Sequence, residues 1–576
     1  MKISDIDGVL SDFIVTKIRE VTPIWENDSL LAKYFSNSGF YLDKFDLCYL
    51  TSYAIKETNH FKNIAFNESD TEVFKSEKYG GVGVGKNLGG ARCGNIGQFQ
   101  IKGIGRNNLA DKDAPSHHSN GTLSLLDATI ETIYTNTLNA LLPNGVVGVL
   151  GLVATGERNA YCEFSGTKPE FLTWGALLTR EQSVRPAHFI RNSAITKENL
   201  DILQVDKHRT NEANRSLLSY FKDLDHIRAF LLNSFSKQIQ QFAFARVAGI
   251  AHGAISASNL TLDGRWIDLN TADFVNSNQN NSISENAIPF YSEPHSIVDI
   301  YIELTHTLNK INKINLNTNE FISAYQYEFN LYFDSYSLWI LGLPIQPNIE
   351  EKNNTIIGRY FAKHLYRNTR IIHSNTKLSA LNNLKTEIIH CLIKEITSKT
   401  KSKNDELRAF VNAYKSVLSS KSEKFKARFS IEKRAYLILT LLLALKRTCF
   451  QFFFARARLT KIILKNTQTC NISAIPELIE TVKEVSNWAF YNSNTKSILF
   501  SSKEIQINFD AIAQEFSISN KYDHSTQSFS CIIELIDYIN SISDNSLYIA
   551  EYDFKPDLLI ILTTICQLKT TLDYEL

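Results

Sequence analysis

The stretch that most constrains this chain runs from Val247 to Asp268. Val247-Ala-Gly-Ile-Ala-His252-Gly253 carries an apolar helix end into His-Gly, a short polar loop follows with Ser258 and Asn259, and Trp266-Ile-Asp268-Leu sets one carboxylate inside an apolar strand. An Asn amide oxygen and an Asp carboxylate at such a loop–strand junction suit a hard divalent cation. Mg²⁺ takes oxygen ligands and keeps several waters, so one carboxylate and one carbonyl beside a nucleotide's phosphates suffice. The same residues also read as a capped turn followed by a strand-end Asp.

At 576 residues the chain is too long for one ordinary core, and two or three domains or subdomains are expected. Lys and Arg (61) nearly cancel Asp and Glu (60), which gives no argument for nucleic acid or an acidic membrane as partner. The cysteines Cys48, Cys93, Cys162, Cys391, Cys449, Cys470, Cys531 and Cys566 are scattered, with no C-x-x-C, so neither a zinc site nor a disulfide framework is expected and a reduced, cytoplasmic setting fits. The opening residues lack an apolar signal-peptide core. The greasiest run, Ala435 to Leu445, is too short to span a bilayer and reads as a buried core helix, so no membrane insertion is expected.

Up to about residue 75 the pattern mixes short helical and irregular text. From Tyr79 to Ser183 it is strand-like and punctuated by glycine, with one helix inside; a long helical pattern covers Lys207 to His252, an exposed polar loop covers 275–286, and helical periodicity dominates from about 296 onward. Lys394 to Arg434, rich in Lys and Arg at helical spacing, reads as a solvated helix face.

Within the glycine-punctuated part, Tyr79 to Gly94 holds Gly89, Gly90 and Arg92 in a run whose backbone suits phosphate cradling; it also suits a tight hairpin. It is not a Walker A loop, because no G-K-[ST] closes it. In Gly97-Gln-Phe-Gln-Ile-Lys102, alternation puts Phe99 and Ile101 on one face and Gln98, Gln100 and Lys102 on the other, where Lys102 either meets phosphate or faces solvent. Thr122 to Leu142 reads as an amphipathic helix with Leu126, Ile130, Ile133, Tyr134, Leu138 and Leu141 inward and Glu131 at the margin, in reach of a strand Lys or else solvated. Arg180 and Arg185 are placed to clamp polyphosphate oxygens; each alone is also an ordinary surface Arg.

The order is more specific than any member: glycine-rich loop, strand Lys, helix Glu, Arg pair, long helix, His-Gly loop with Asn, strand Asp. Protein kinases use this series to bind ATP·Mg²⁺. With these residues the first 300 or so positions resemble the selenoprotein O family, kinase-fold proteins that transfer AMP from ATP to protein side chains. The family's L-G-D-G-R-A looks like Leu88-Gly-Gly-Ala-Arg92-Cys93, its L-K-G-A-G-R like Ile101 to Arg106, and its I-R-E like Thr129-Ile-Glu131. Its F-A-H-G-x-x-N-T-D-N-M-S is similar to Ile250 to Thr261, and its L-D-Y-G-P-F-G-F to Ile267 to Phe274.

The resemblance implies an α+β, bilobal protein-kinase-like fold. Its parts would be an N-terminal extension (1–75), a β-rich N-lobe (76–200), a helical C-lobe (201–400) and a mostly helical C-terminal region (401–576). It implies Lys102 and Glu131 as catalytic groups with Ser258 at the base position, Gly89, Gly90, Arg92, Lys102, Arg180 and Arg185 on the nucleotide, and Asn259 and Asp268 on the metal. ATP and Mg²⁺ are the implied cofactors. The acceptor would be a protein or peptide hydroxyl, a peptide from a bacterial modification or bacteriocin system among them.

Three departures bear on the chemistry. The family's acidic residue before the metal-binding Asn is Ser258 here, with Asp263 or His252 as substitutes; Asn107 to Gly121 is longer than its counterpart; and the family's C-terminal redox Cys or selenocysteine has no match. The second function class is therefore a nucleotide-binding pseudokinase that holds a partner. Asp5-Ile-Asp7-Gly resembles a phosphatase D-x-D-G motif, but too little chain precedes it for the buried strand that motif requires.

Overall fold

The computed structural model describes residues 1–35, 43–56, 61, 63–111, 121–156, 158, 160–161, 172–195, 200–275, 280–282, 287–345, 352–365, 371–373, 384–398, 402–542 and 544–575. It is a mixed α+β protein. Among the described residues the largest sheet has eight strands: β1 (Leu10–Ile18), β2 (Thr22–Glu26), β3 (Tyr53–Ala54), β4 (Phe66–Glu77), β5 (Cys93–Ile96), β6 (Phe99–Lys102), β7 (Val149–Ala154) and β8 (Ala176–Glu181). They pair antiparallel throughout, in the order β2-β7-β8-β6-β5-β4-β1-β3.

The text before residue 75, read as short helices and irregular chain, supplies half of these strands. β1 reads poorly because Ile14 is exposed while Val15 and Ile18 are buried, so its alternation mixes apolar residues on both faces. The middle strands are covered on both sides, which is why they look apolar almost continuously. Ile101, Val153, Leu177 and Phe74 enter one cluster with Val15, Tyr53 and Phe66, while Leu152, Ala176 and Leu178 face a second and much larger core.

That larger core begins at α1 (Leu125–Leu141). Ser124 caps it, its side chain accepting a hydrogen bond from the Asp127 amide. The apolar stripe read from the sequence is buried, yet so is most of the rest of the helix, including Glu131 at 2 % exposure. The long helical pattern after residue 200 is two helices, α2 (Leu200–Tyr220) and α3 (Leu224–Ala248), broken where Asp223 caps the second and ended by Gly249 in the left-handed region. Then come α4 (Glu293–Asn312), α5 (Asn319–Ile340), α6 (Lys433–Cys449) and α7 (Ala474–Phe490), locked by aromatic contacts such as Phe244–Trp339 at 4.9 Å.

The run read as too short to span a bilayer belongs to Lys433–Phe454, which is long and apolar enough to cross one, but 94 % of its apolar window is buried, so it packs as the expected core helix. Of the polar segment 275–286, read from the sequence as exposed, Val275 is buried and Asn280–Ser282 is a largely buried strand paired in parallel with Ile371–His373; 276–279 and 283–286 lie outside the described residues. The C-terminal part is mainly helical, with two antiparallel interruptions missed in the sequence, the smaller being the pair Tyr548–Ile549 and Tyr552–Asp553. An antiparallel four-stranded meander spans Lys496–Ser501, Ile505–Asp510, Glu515–Asn520 and Thr526–Phe529, and packs on α7 through Trp488 and Phe500. Trp25 of β2 donates its indole N–H to Glu480 of α7 at 2.6 Å, tying the first sheet to the C-terminal helices.

Candidate functional site: a buried ion cluster beneath a glycine-rich hairpin

Register explains why residues far apart in sequence meet here. Arg180 of β8 lies opposite Gln100 of β6, with Lys102 two residues along, so these side chains share one face of the sheet. Glu131 projects from α1 onto that face. Lys102 Nζ donates to Glu131 Oε2 at 2.8 Å and to Asp268 Oδ1 at 2.5 Å, and Arg180 Nη1 donates to Glu131 Oε1 and to Asp268 Oδ1, both at 2.8 Å. Arg185 lies 3.8 Å from Asp268 and 3.7 Å from Glu77. Gln100 knits the pieces, its carbonyl accepting from Arg180 Nε at 2.8 Å and its amide donating to Glu77 at 2.5 Å.

Lys102, Arg180 and Arg185 thus face Glu77, Glu131 and Asp268 in formal balance, nearly all out of water. Ionised groups survive burial only when paired in this way. Burial alone would raise the Asp268 carboxyl, but Arg180 and then Lys102 hold it well below the usual carboxylate range. For Glu77 burial is likewise outweighed, chiefly by Arg185, and it falls to about 2. Asp268, at 19 % side-chain exposure, is the member of the cluster that water reaches most easily. Its backbone sits at φ 61°, ψ 57°, a left-handed conformation that costs a non-glycine residue about 1–3 kcal/mol and that tends to mark functional positions.

The loop beside Asp268 places the remaining candidates. The amide of Ile267 donates to Asn259 O, and Leu260 bridges to Trp266, which brings the Ser258–Asn259 stretch against Trp266–Asp268; Asp268, read from the sequence as a strand residue, instead precedes a 3-10 turn at Leu269–Thr271. Arg185 Nη1 donates to Ser258 O at 2.9 Å, linking that loop to the cluster. The Asn259 amide N–H₂ is held by Ala254 O at 2.7 Å, while its Oδ1 takes only a 3.3 Å bond from Ser258 Oγ. The Ser258 and Ser256 hydroxyls are 2.9 Å apart.

His252, offered by the sequence as a substitute base, is buried and structural. Nε2 faces the carbonyls of Asn259 and Ile267 while Nδ1 accepts from Ala254, which sets the neutral tautomer, and burial lowers it to about 4. Asp263 is committed to Arg265 and to the Thr261 hydroxyl.

Above the cluster lies the glycine-rich segment. Gly89 must be glycine, since a Cβ there would fall 2.0 Å from Glu77 O, and the Gly90 amide donates to that same oxygen at 2.9 Å. Gly89 and Gly90 therefore close a hairpin onto the end of β4, and Arg92 donates to Thr122 O at 3.3 Å. At the hairpin's other flank the Gly80 and Gly81 amides bond Ala187 O and Arg191 O, and Tyr79 stacks against the Arg185 guanidinium.

Sequence reasoning missed Glu77, His188 and Glu293. His188 accepts the Arg185 amide on Nδ1, so its Nε2 carries the proton that points to Glu77 at 3.4 Å. Glu293 accepts the amides of His252 and Gly253 at 3.1 and 2.7 Å, bracing the loop from α4. Neither acid belongs to a motif; each is an isolated carboxylate in ordinary text. Gln100 was legible, sharing the Lys102 face by alternation.

The oxygens present fit a hard cation. Asp268 keeps a partly exposed carboxylate, and Asn259 Oδ1 carries only one long bond. Among the described residues no group of three or more His, Cys, Asp or Glu forms a protein-only metal cage, so a cation here would draw its remaining ligands from phosphates and water. No protein-family model matches the chain, and no curated protein matches it either.

Proposed function

We propose that this protein has a bilobal, protein-kinase-like fold and binds ATP with Mg²⁺ at the Lys102–Glu131–Asp268 cluster, transferring AMP to a hydroxyl of a protein or peptide. The single observation that carries this reading is the meeting of Lys102 with Glu131 and Asp268 at 2.8 and 2.5 Å, the pairing expected from their order in the chain. In this reading Glu131 orients the Lys102 ammonium toward polyphosphate, Arg180 and Arg185 neutralise charge that builds on it, and Asn259 and Asp268 hold the metal. Mg²⁺ supplies Lewis-acid polarisation of the phosphoryl oxygens when bound. Ser258 sits where a base would stand, and positioning with charge neutralisation then carries most of the rate. The scattered free thiols among the described residues go with a reduced, cytoplasmic setting.

A second reading, a nucleotide-binding pseudokinase that holds a partner, is favoured by one specific observation: Ser258 is bonded to Ser256 and Asn259, and the loop's carboxylate, Asp263, is committed to Arg265 and Thr261. Incubation with ATP labelled on either the α- or the γ-phosphate, followed by mass spectrometry of the protein and candidate acceptors, separates the readings. A gain of AMP that Asp268→Asn abolishes supports the transferase. Transfer of the γ-phosphate makes it a kinase. Nucleotide-induced stabilisation without any transfer supports the scaffold, and no nucleotide binding at all removes both.

A further inference from the structure

The C-terminal ends of α5, α6 and α7 converge on two adjacent cations. Lys446 and Arg447 both lie in the last turn of α6 and are both buried. Lys446 is wrapped by oxygens, donating to Trp488 O at 2.7 Å, Ile498 O at 2.8 Å and Asn492 Oδ1 at 2.8 Å. Arg447 is treated differently. Its Nε donates to Phe490 O at 2.9 Å and its Nη1 to Trp339 O, carbonyls in the last turns of two helices, while its plane lies over the Trp339 ring at 4.2 Å. Those bonds leave Nη2 unused. Among the described residues no carboxylate pairs with this guanidinium, and burial lowers it to about 9, so it remains a cation at neutral pH.

Arg447 also lines a cleft of about 390 Å³, open at one side, with Phe244, Tyr336, Trp339, Leu343 and Ile345 as apolar wall. Small-molecule sites run from roughly 300 to 1,000 Å³, mostly apolar with a few placed polar groups. Helix-end carbonyls carry partial negative charge and offset part of the buried charge. They do not supply the full counter-charge that a desolvated guanidinium takes up when it can.

We propose that this cleft binds a small monocarboxylate with an apolar body, the carboxylate meeting the free edge of Arg447 and the body lying along Trp339, Phe244 and Leu343. The site is independent of the ion cluster and of any nucleotide chemistry there.

Decanoate, decan-1-ol and decylammonium are titrated into the full chain, with binding followed by tryptophan fluorescence and by calorimetry. Decanoate should bind about tenfold or more tightly than the alcohol, with the ammonium weakest. Arg447→Gln should bring decanoate down to the alcohol. Because Arg447 also ties helix ends and that variant can unfold, Ile345→Asp at the half-buried rim is the deciding arm. It leaves every Arg447 bond in place; losing a half-buried Ile from the apolar wall lowers stability somewhat and weakens both ligands, but the added carboxylate should weaken decanoate about tenfold more than the alcohol. Equal binding of acid and alcohol, or decanoate weakened no more than the alcohol by Ile345→Asp, overturns the proposal and leaves Arg447 a staple of helix ends only.

Discussion

Replacing Glu131 by Gln should destabilise this protein far more than loss of an ordinary salt bridge. Exposed ion pairs are worth about 0–1 kcal/mol, because water and salt already satisfy the partners. Glu131 is 2 % exposed and holds Lys102 and Arg180, at 3 % and 1 %, each over 2.8 Å. The amide keeps one acceptor but turns its N–H₂ toward one of two buried cations, which are then left sharing Asp268 Oδ1. Breaking one side of a buried pair costs about 3–5 kcal/mol. Glu131→Gln should therefore cost about 3–4 kcal/mol, a large share of the roughly 5–15 kcal/mol that holds a typical domain. Urea unfolding followed by tryptophan fluorescence measures it, with an unchanged m-value showing that the folded state keeps its compactness. A Lys102→Met, Glu131→Gln double variant completes the cycle, and its loss should fall short of the sum of the singles by about 1–3 kcal/mol. A loss below about 1 kcal/mol, or strict additivity, would refute the claim that these groups are desolvated and mutually dependent.

Other expectations test separate parts of the fold. Glu293, pushed up by burial to about 7, binds a proton in the folded state that the unfolded chain releases near 4.3. Its contribution to stability is thus present at pH 4 and lost as pH rises toward 7, so wild type should lose stability relative to Glu293→Gln between pH 5 and 8; a constant difference across that range would show that the carboxyl is ionised throughout. His252, lowered to about 4, acts with opposite sign, and a His252→Gln variant should lack a destabilising step as pH falls from 6.5 toward 4 in a melting series. Gly342 sits at φ +75° with Thr440 O 1.9 Å from any added Cβ, so Gly342→Ala should cost about 3 kcal/mol in denaturant unfolding. Ser124→Ala removes the α1 cap and should cost about 1 kcal/mol in the same assay.

What the sequence disclosed and what it hid follow from the range of the forces involved. Strand alternation put Gln100 and Lys102 on one face, and helical spacing found α1, because both are local periodicities. The meeting of Lys102 with Glu131 needed a further inference, from the order of motifs. The burial of Glu131 was hidden, since its spacing marks a margin and it is the sheet residues Lys102 and Arg180 that close over it. Glu77 was hidden for a related reason. It lies at the end of a strand whose earlier part is polar and open to water at Glu68, Ser69, Thr71 and Glu72, and the glycine hairpin folds back over it. The meander after residue 495 was lost among the helices because its strands are short and half exposed, with Ser and Asn where β-branched residues would announce a strand.

The formal neutrality of the cluster has a consequence for how anything could bind there. Asp268 is already engaged by Lys102 and Arg180, so an incoming triphosphate meets no surplus of positive charge. Without a metal, phosphate oxygens would have to draw Lys102 and the Arg side chains away from Asp268 and leave that carboxylate without its partners, at a cost of several kcal/mol. With Mg²⁺ the exchange balances: the cations turn to phosphate, the metal takes Asp268, and no ionised group loses its counter-charge. Under the proposed nucleotide reading, binding must therefore be strongly metal-dependent, and Asp268→Asn should relax that dependence by freeing Lys102 and Arg180 even as it abolishes transfer. Nucleotide that bound equally well to the wild type in chelator and in Mg²⁺ would mean that it sits elsewhere, and the ion cluster would then be a structural keystone between sheet and helices.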